Sequence, residues 1–95
     1  MPDYELLYIV DPRLPEDELA ALQERLNNAI TAGNGEVVST DTMGVRRLAY
    51  PIKKLDEGRY LLINFKSESA LAQSLNAQLR LLQQVVRFMI VNKEE

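Results

Sequence analysis

A cluster of positive charge in the middle of the chain is the strongest chemical signal of the sequence. From Thr42 to Leu55 there are four cations and no carboxylate, although the 95-residue chain carries 14 acidic and 11 basic residues and a net charge of -3. A local positive field on an acidic protein is typical of a small phosphate-binding surface. Judged on charge alone, the cluster is equally compatible with a solvated hairpin that binds no phosphate and whose lysines discourage pairing between sheet edges. The four cations are Arg46, Arg47, Lys53 and Lys54.

The types and spacing of these residues limit how they can bind phosphate. Arg46 and Arg47 are neighbours on a predicted strand, so they point to opposite faces and do not form one fork. A guanidinium recognises phosphate through two parallel hydrogen bonds, whereas a lysine adds a point charge. Tyr50 offers a ring for stacking on an unpaired base, or it fills a half-buried strand position. Three further candidate cations, each typical of a solvated surface when taken singly, are Arg80, Arg87 and Lys93.

The composition argues against catalysis. The chain has no cysteine and no histidine, so disulfides, thiolate nucleophiles and the commonest general base and metal ligand are excluded. The acidic residues of the first predicted helix are expected on its solvated face, and their spacing is not that of metal ligands. We therefore expect that this protein is not an enzyme. We also expect no catalytic residue, metal site, cofactor or small-molecule substrate. The apolar runs are too short to span a bilayer and the start lacks a signal peptide, which predicts a cytoplasmic protein without a membrane partner.

The order of predicted elements is strand, helix, strand, strand, helix, strand. Apolar periodicity and turn residues place the strands at residues 4–10, 36–52, 59–66 and 85–91, the first helix at 15–32 and the second helix around Leu71, Leu75 and Leu79. Pro15 is expected at the first helical position, and Gly44 marks a bend in the long second strand. A polar connection at 53–58 ends in a glycine, and Ser67 or Ser69 is expected to cap the second helix.

This order predicts an α+β protein with the ferredoxin-like arrangement. Residues 1–95 would form a single domain in which a four-stranded antiparallel sheet carries both helices on one face. Alternation assigns to the helix side Tyr4, Leu6, Tyr8, Leu61, Ile63, Phe65, Phe88 and Ile90. It assigns to the open side Leu7, Ile9, Tyr60, Leu62, Met89 and Val91. An open face this apolar predicts a protein partner, unless neighbouring long side chains shield it.

The segment from Gly44 to Ile52, Gly-Val-Arg-Arg-Leu-Ala-Tyr-Pro-Ile, resembles the signature of the bacterial small-subunit ribosomal protein S6 family. Tyr4-Glu5, Pro12, Gly58 and residues 87–91 also fall where that family's pattern places them. The resemblance implies the ferredoxin-like fold and a structural role on the ribosome. It also implies binding to the central domain of small-subunit rRNA as a heterodimer with ribosomal protein S18. The chain departs from many members at Pro2-Asp3, where they carry basic residues.

Three other functions are compatible with this topology. An RNA-recognition module would need a glycine-rich and aromatic octamer that residues 59–66 do not supply. An acylphosphatase-like enzyme would use Arg13 and Asn64, but residues 11–15 contain two prolines and no glycine-rich cradle. A regulatory ligand-binding domain is the third alternative, which a stabilising small molecule would reveal.

Overall fold

Four strands and two helices alternate along the chain in the computed structural model, which describes residues 1–52 and 54–94. Their order, βαββαβ, is the one that the sequence predicts. The elements are β1 (Asp3–Val10), α1 (Glu16–Ala32), β2 (Glu36–Ile52), β3 (Leu55–Lys66), α2 (Ser69–Arg80) and β4 (Val85–Asn92).

The strands form one antiparallel sheet in the order β2-β3-β1-β4. The first strand is therefore central, as its apolar residues on both faces predict. Both helices pack on one face of this sheet, so the ferredoxin-like prediction is confirmed. Neither described helix is both long enough and apolar enough to cross a membrane.

The core lies between the helices and one face of the sheet. Leucines at three- and four-residue spacing, with an isoleucine in α1 and an alanine in α2, form the buried stripe of each helix, because residues so spaced share one side of an α-helix. They meet every second residue of the strands, and Tyr4 stacks on Phe65 with 5.5 Å between ring centroids. All eight residues assigned to the helix side belong to this core or pack against it.

Three local predictions are wrong. The third strand begins at Leu55, within the expected polar connection, because residues 55–58 continue the ladder with β2. Gly58 is therefore a buried sheet position and does not end a turn. Among the described residues no side chain caps α2: its N-cap is Glu68, and the Ser67 hydroxyl donates to the Glu68 carbonyl instead. Pro15 is likewise the N-cap of α1, one residue before the helix begins.

The second strand is longer than the partner segment against which it runs. Its register with β3 shifts between Val37 and Ser39, between Thr42 and Gly44, and again between Arg47 and Ile52. Gly44 has a φ of +82°, a backbone conformation that favours glycine. In the last shift β2 advances five residues while β3 advances two, from Leu55 to Glu57. Such bulges bend and twist a strand.

Candidate RNA and protein interface

The predicted basic segment forms a two-stranded extension of the sheet. The pairing of β1 with β3 ends at Val10 and Arg59, whereas β2 and β3 continue to pair up to Ile52 and Leu55. We call residues 46–52 and 54–58 the hairpin arm. Lys54 is exposed at its tip and has a φ of +67°, and the predicted site residue Lys53 lies outside the described residues.

The two arginines of the arm serve different surfaces, as the alternation of strand residues predicts. Arg46 pairs with Gly58, and a Cβ built on Gly58 would contact Ile9 and Tyr60, so Arg46 lies on the open side of the sheet. Arg47 pairs with Glu57 on the side of the helices. Both arginines are exposed. The sequence separates Arg47 from acidic residues, but the hairpin places a carboxylate directly opposite it.

The open side of the arm folds back over the sheet. Leu48 is only 8% exposed and Ile9 only 7%, and both lie around Gly58, where a Cβ would sit 2.4 Å from Ile9 Cγ2 and 3.4 Å from Leu48 Cδ2. A real Cβ does not approach a neighbour to 2.4 Å, so only glycine fits this position without rearrangement. Ile9 therefore faces the open side, as predicted, but the arm covers it, so it does not present the exposed surface expected of a partner contact.

A hydrogen bond joins two candidate residues that are 37 positions apart. Arg87 Nη1 donates to the Tyr50 hydroxyl at 2.9 Å, although Tyr50 is on β2, one edge strand, and Arg87 is on β4, the other. This hydrogen bond lowers the pKa of the exposed Tyr50 phenol and raises that of the Arg87 guanidinium. The tertiary structure thus adds Arg87 to the basic segment.

The remaining candidate cations lie elsewhere. Arg80 is the last residue of α2, in the helical layer. Lys93 follows β4 at the end of the sheet away from the arm, where its backbone N–H donates to the Asp3 carbonyl. Its ammonium donates to Asn64 Oδ1 at 3.0 Å, and Asn64 Nδ2 donates to Ser39 Oγ at 3.1 Å. The seven predicted RNA contacts that lie within the described residues therefore do not form a single surface.

Apolar side chains occupy the centre of the open face. Leu62, Leu7 and Met89 are directly paired across β3, β1 and β4 and form one row. Met89 is 54% exposed and Val91 39%, whereas Leu7, Leu62 and Tyr60 are half-buried. We call Leu7, Tyr60, Leu62, Met89 and Val91 the open-face patch. A depression of about 260 Å³ at its edge is lined by Leu7, Ile9, Arg87, Phe88 and Met89.

Sequence reasoning missed Leu48 and Arg59. Leu48 is two residues from Arg46 and two from Tyr50, and this spacing could have placed it on their side of the strand. Arg59 pairs with Val45 at the base of the arm, and its Nε is buried without a hydrogen-bond partner among the described residues. Nothing in the spacing of Arg59 distinguishes it from a solvated arginine.

The structure also separates the residues required by the acylphosphatase alternative. Arg13 follows the end of β1 and forms an ion pair with Asp11, with 2.9 Å between Nη2 and Oδ2. The hydrogen bonds from Arg13 lower the pKa of Asp11. Asn64 pairs with Glu5, near the start of β1. The two residues are therefore at opposite ends of the sheet and cannot converge on one phosphate.

Comparisons with known proteins identify the family. The family model for ribosomal protein S6 matches residues 3–92. Small ribosomal subunit protein bS6 of Clostridium novyi is 42% identical over 95 residues, which cover all of both chains. That of Heliobacterium modesticaldum is 39% identical over 95 residues, covering 100% of this chain and 99% of the relative.

A solved structure agrees with these sequence relatives. The crystal structure of 30S ribosomal protein S6 from Thermotoga maritima superposes with a TM-score of 0.91 at 31% identity, covering 98% of this chain and 88% of that one. The resemblance found in the basic segment thus extends to nearly the whole chain. The chain belongs to the ribosomal protein S6 family and is a protein of the small ribosomal subunit.

Proposed function

We propose that this protein is a non-enzymatic, single-domain component of the small subunit that binds the central domain of small-subunit rRNA as a heterodimer with ribosomal protein S18. One observation carries the proposal: a cationic arm lies beside an uncovered apolar patch, and the two meet where Leu48 covers Ile9. Phosphate attracts the first surface and a protein partner covers the second. Neither surface requires a reaction.

The arm is the proposed phosphate-binding surface. Arg46 and Arg47 present guanidinium groups on both sides of the two-stranded extension, and Lys54 adds a charge at the tip. Lys53, next to it in sequence, is included in the proposal on its position in the chain alone. Tyr50 and Arg87 join this surface through their hydrogen bond. Arg80 and Lys93 would reach RNA only if it extends beyond the arm.

The open-face patch is the proposed docking site for S18, with Ile9 supporting it from beneath. Its central row is contributed by the three neighbouring strands β3, β1 and β4, so a partner seated there would bury apolar side chains without disturbing the ladder. The chain has a net charge of -3, which opposes long-range attraction to RNA. A basic partner would offset this charge and strengthen RNA binding.

Binding to a central-domain RNA fragment, with and without purified S18, tests the proposal. We expect tight, salt-dependent binding by the two proteins together and weak binding by this chain alone. Alanine substitution of a contacting cation should lower the slope of log affinity against log salt by about one unit per lost phosphate contact. Arg46, Arg47, Lys53 and Lys54 are the positions to change, one at a time.

Lys66 provides the matched control for this experiment, because it is exposed on β3 at the end of the sheet away from the arm. Lys66→Ala should leave the slope close to that of the unmodified protein. Unchanged affinity and slope in all four arm variants would refute the phosphate assignment. Equal RNA binding with and without S18 would refute the role of the heterodimer.

A further inference from the structure

The hairpin arm needs an anchor, because it extends past the last pair between β1 and β3. A two-stranded ribbon is at best marginally stable in water. Its ladder is further weakened between Arg47 and Ile52, where β2 carries three more residues than the facing part of β3. The sheet alone therefore does not fix the direction of the arm.

Two contacts on the open side supply that anchor. Leu48 packs over Gly58 beside Ile9, and Arg87 holds the Tyr50 hydroxyl at 2.9 Å. Arg46, Leu48 and Tyr50 alternate along β2 and share this side of the strand. The apolar contact lies over the middle of the sheet and the hydrogen bond reaches its far edge. Together they fix the arm at two separate points.

We propose that Tyr50 and Arg87 form a latch that positions the arm for RNA, so that Arg87 acts on RNA binding through Tyr50 rather than through a phosphate contact of its own. This inference rests on the RNA-binding function proposed above. Arg46 is four residues before Tyr50 on the same side of the strand, so holding the ring also restricts Arg46. Ordering a cationic side chain before it binds reduces the entropy lost on association.

Tyr50→Phe isolates the latch, since it removes the acceptor while keeping the ring and every charge. In the free protein we expect the backbone amides of residues 45–50 to exchange about 3–10 times faster, as loss of a single hydrogen bond implies. With S18 present, RNA affinity should fall by about the same factor, while the salt slope stays unchanged.

Arg87→Gln and the double variant distinguish positioning from direct contact. If Arg87 acts through Tyr50, its replacement should lower affinity no more than Tyr50→Phe does, and the double variant should be no worse than either single change. Lys66→Gln shows what the loss of one remote charge does to the slope. The slope of Arg87→Gln should match that of this control.

Several outcomes would overturn the inference. Unchanged amide exchange in Tyr50→Phe would mean that the hydrogen bond does not hold the arm. Faster exchange with unchanged affinity would mean that the arm's position is irrelevant to RNA. A slope lowered by about one unit in Arg87→Gln, beyond the Lys66→Gln control, would assign Arg87 a phosphate of its own. If the unmodified protein with S18 fails to bind RNA, the proposed function fails, and amide exchange still decides whether the latch exists.

Discussion

The two faces of the sheet are made from alternating residues of the same strands, but they differ in what covers them. Leu6 faces the helices and is fully buried, whereas the next residue, Leu7, faces the open side and is half-buried. The helices cover the first face over β1 and over β3 from Leu61 to Phe65. On the second face the chain's own hairpin arm covers Ile9 and its surroundings. Similar apolar residues therefore stabilise the fold on one side and form a surface for a partner on the other.

The largest expected effect is a difference in stability between substitutions on the two faces of the sheet. Leu6→Ala should cost about 2–5 kcal/mol of unfolding free energy, because it leaves a cavity in a core closed by the helices. Leu7→Ala should cost about 1 kcal/mol or less, because its surroundings remain open to water. Denaturant unfolding of both variants measures the difference. Equal costs would show that the open face contributes to stability as the helix face does.

A charge on the open-face patch should affect association rather than folding. We predict that Leu62→Glu folds normally but weakens binding to S18 by about 2–4 kcal/mol, because the partner would bury an unpaired carboxylate. Titration calorimetry measures this loss. The control is Gln73→Glu, at an exposed position of α2. It adds the same charge on the helix side of the sheet and should leave the affinity for S18 unchanged. Full affinity in Leu62→Glu would move the interface elsewhere.

The region of the open face that the arm covers depends on Gly58. Gly58→Ala should destabilise the protein by about 1–3 kcal/mol, because the new methyl group would overlap Ile9 Cγ2. In an Ile9→Ala background that atom is missing, so the same substitution should cost less. A double-mutant cycle in denaturant measures this coupling. Additive costs would show that the two residues are not in contact.

Two tyrosines on opposite sides should respond differently to alkaline pH. Burial raises the pKa of Tyr8, on the helix side, to about 12, so the unfolded chain loses this proton first. The stabilising contribution of Tyr8 is thus complete below about pH 10 and is lost as pH rises towards 12, by up to about 1.4 kcal/mol per unit.

The matched variants make this comparison measurable by denaturant unfolding between pH 9 and 12. Tyr8→Phe should make stability fall less steeply with pH. Tyr50, on the open side, has a lowered pKa because Arg87 donates a hydrogen bond to its hydroxyl. Its ionisation therefore adds to the stability of the folded protein as pH rises, which is opposite to the effect of Tyr8. Tyr50→Phe should therefore make the decline steeper. Identical pH profiles for the two variants would contradict the assignment of their environments.

Local rules were sufficient for the fold and for the assignment of faces. The apolar residues on both faces of β1 indicate a central strand, and strict alternation separates Leu6 from Leu7. Such rules fail where a contact comes from distant parts of the chain. Residues 53–58 look like a polar turn because their charges suit one, and only the ladder with β2 reveals that β3 has begun at Leu55.

The candidate site was predictable as a charge cluster but not as a geometry. The opposite directions of Arg46 and Arg47 and the positive charge of the arm follow from the sequence, because period-two alternation and composition are local properties. The assembled sheet is needed to show that Glu57 lies opposite Arg47, that Leu48 covers Ile9 and that Arg87 holds Tyr50. Those contacts depend on bulges that bend β2 and on a strand order that no short segment encodes. A pair 37 residues apart meets only when the whole sheet has assembled.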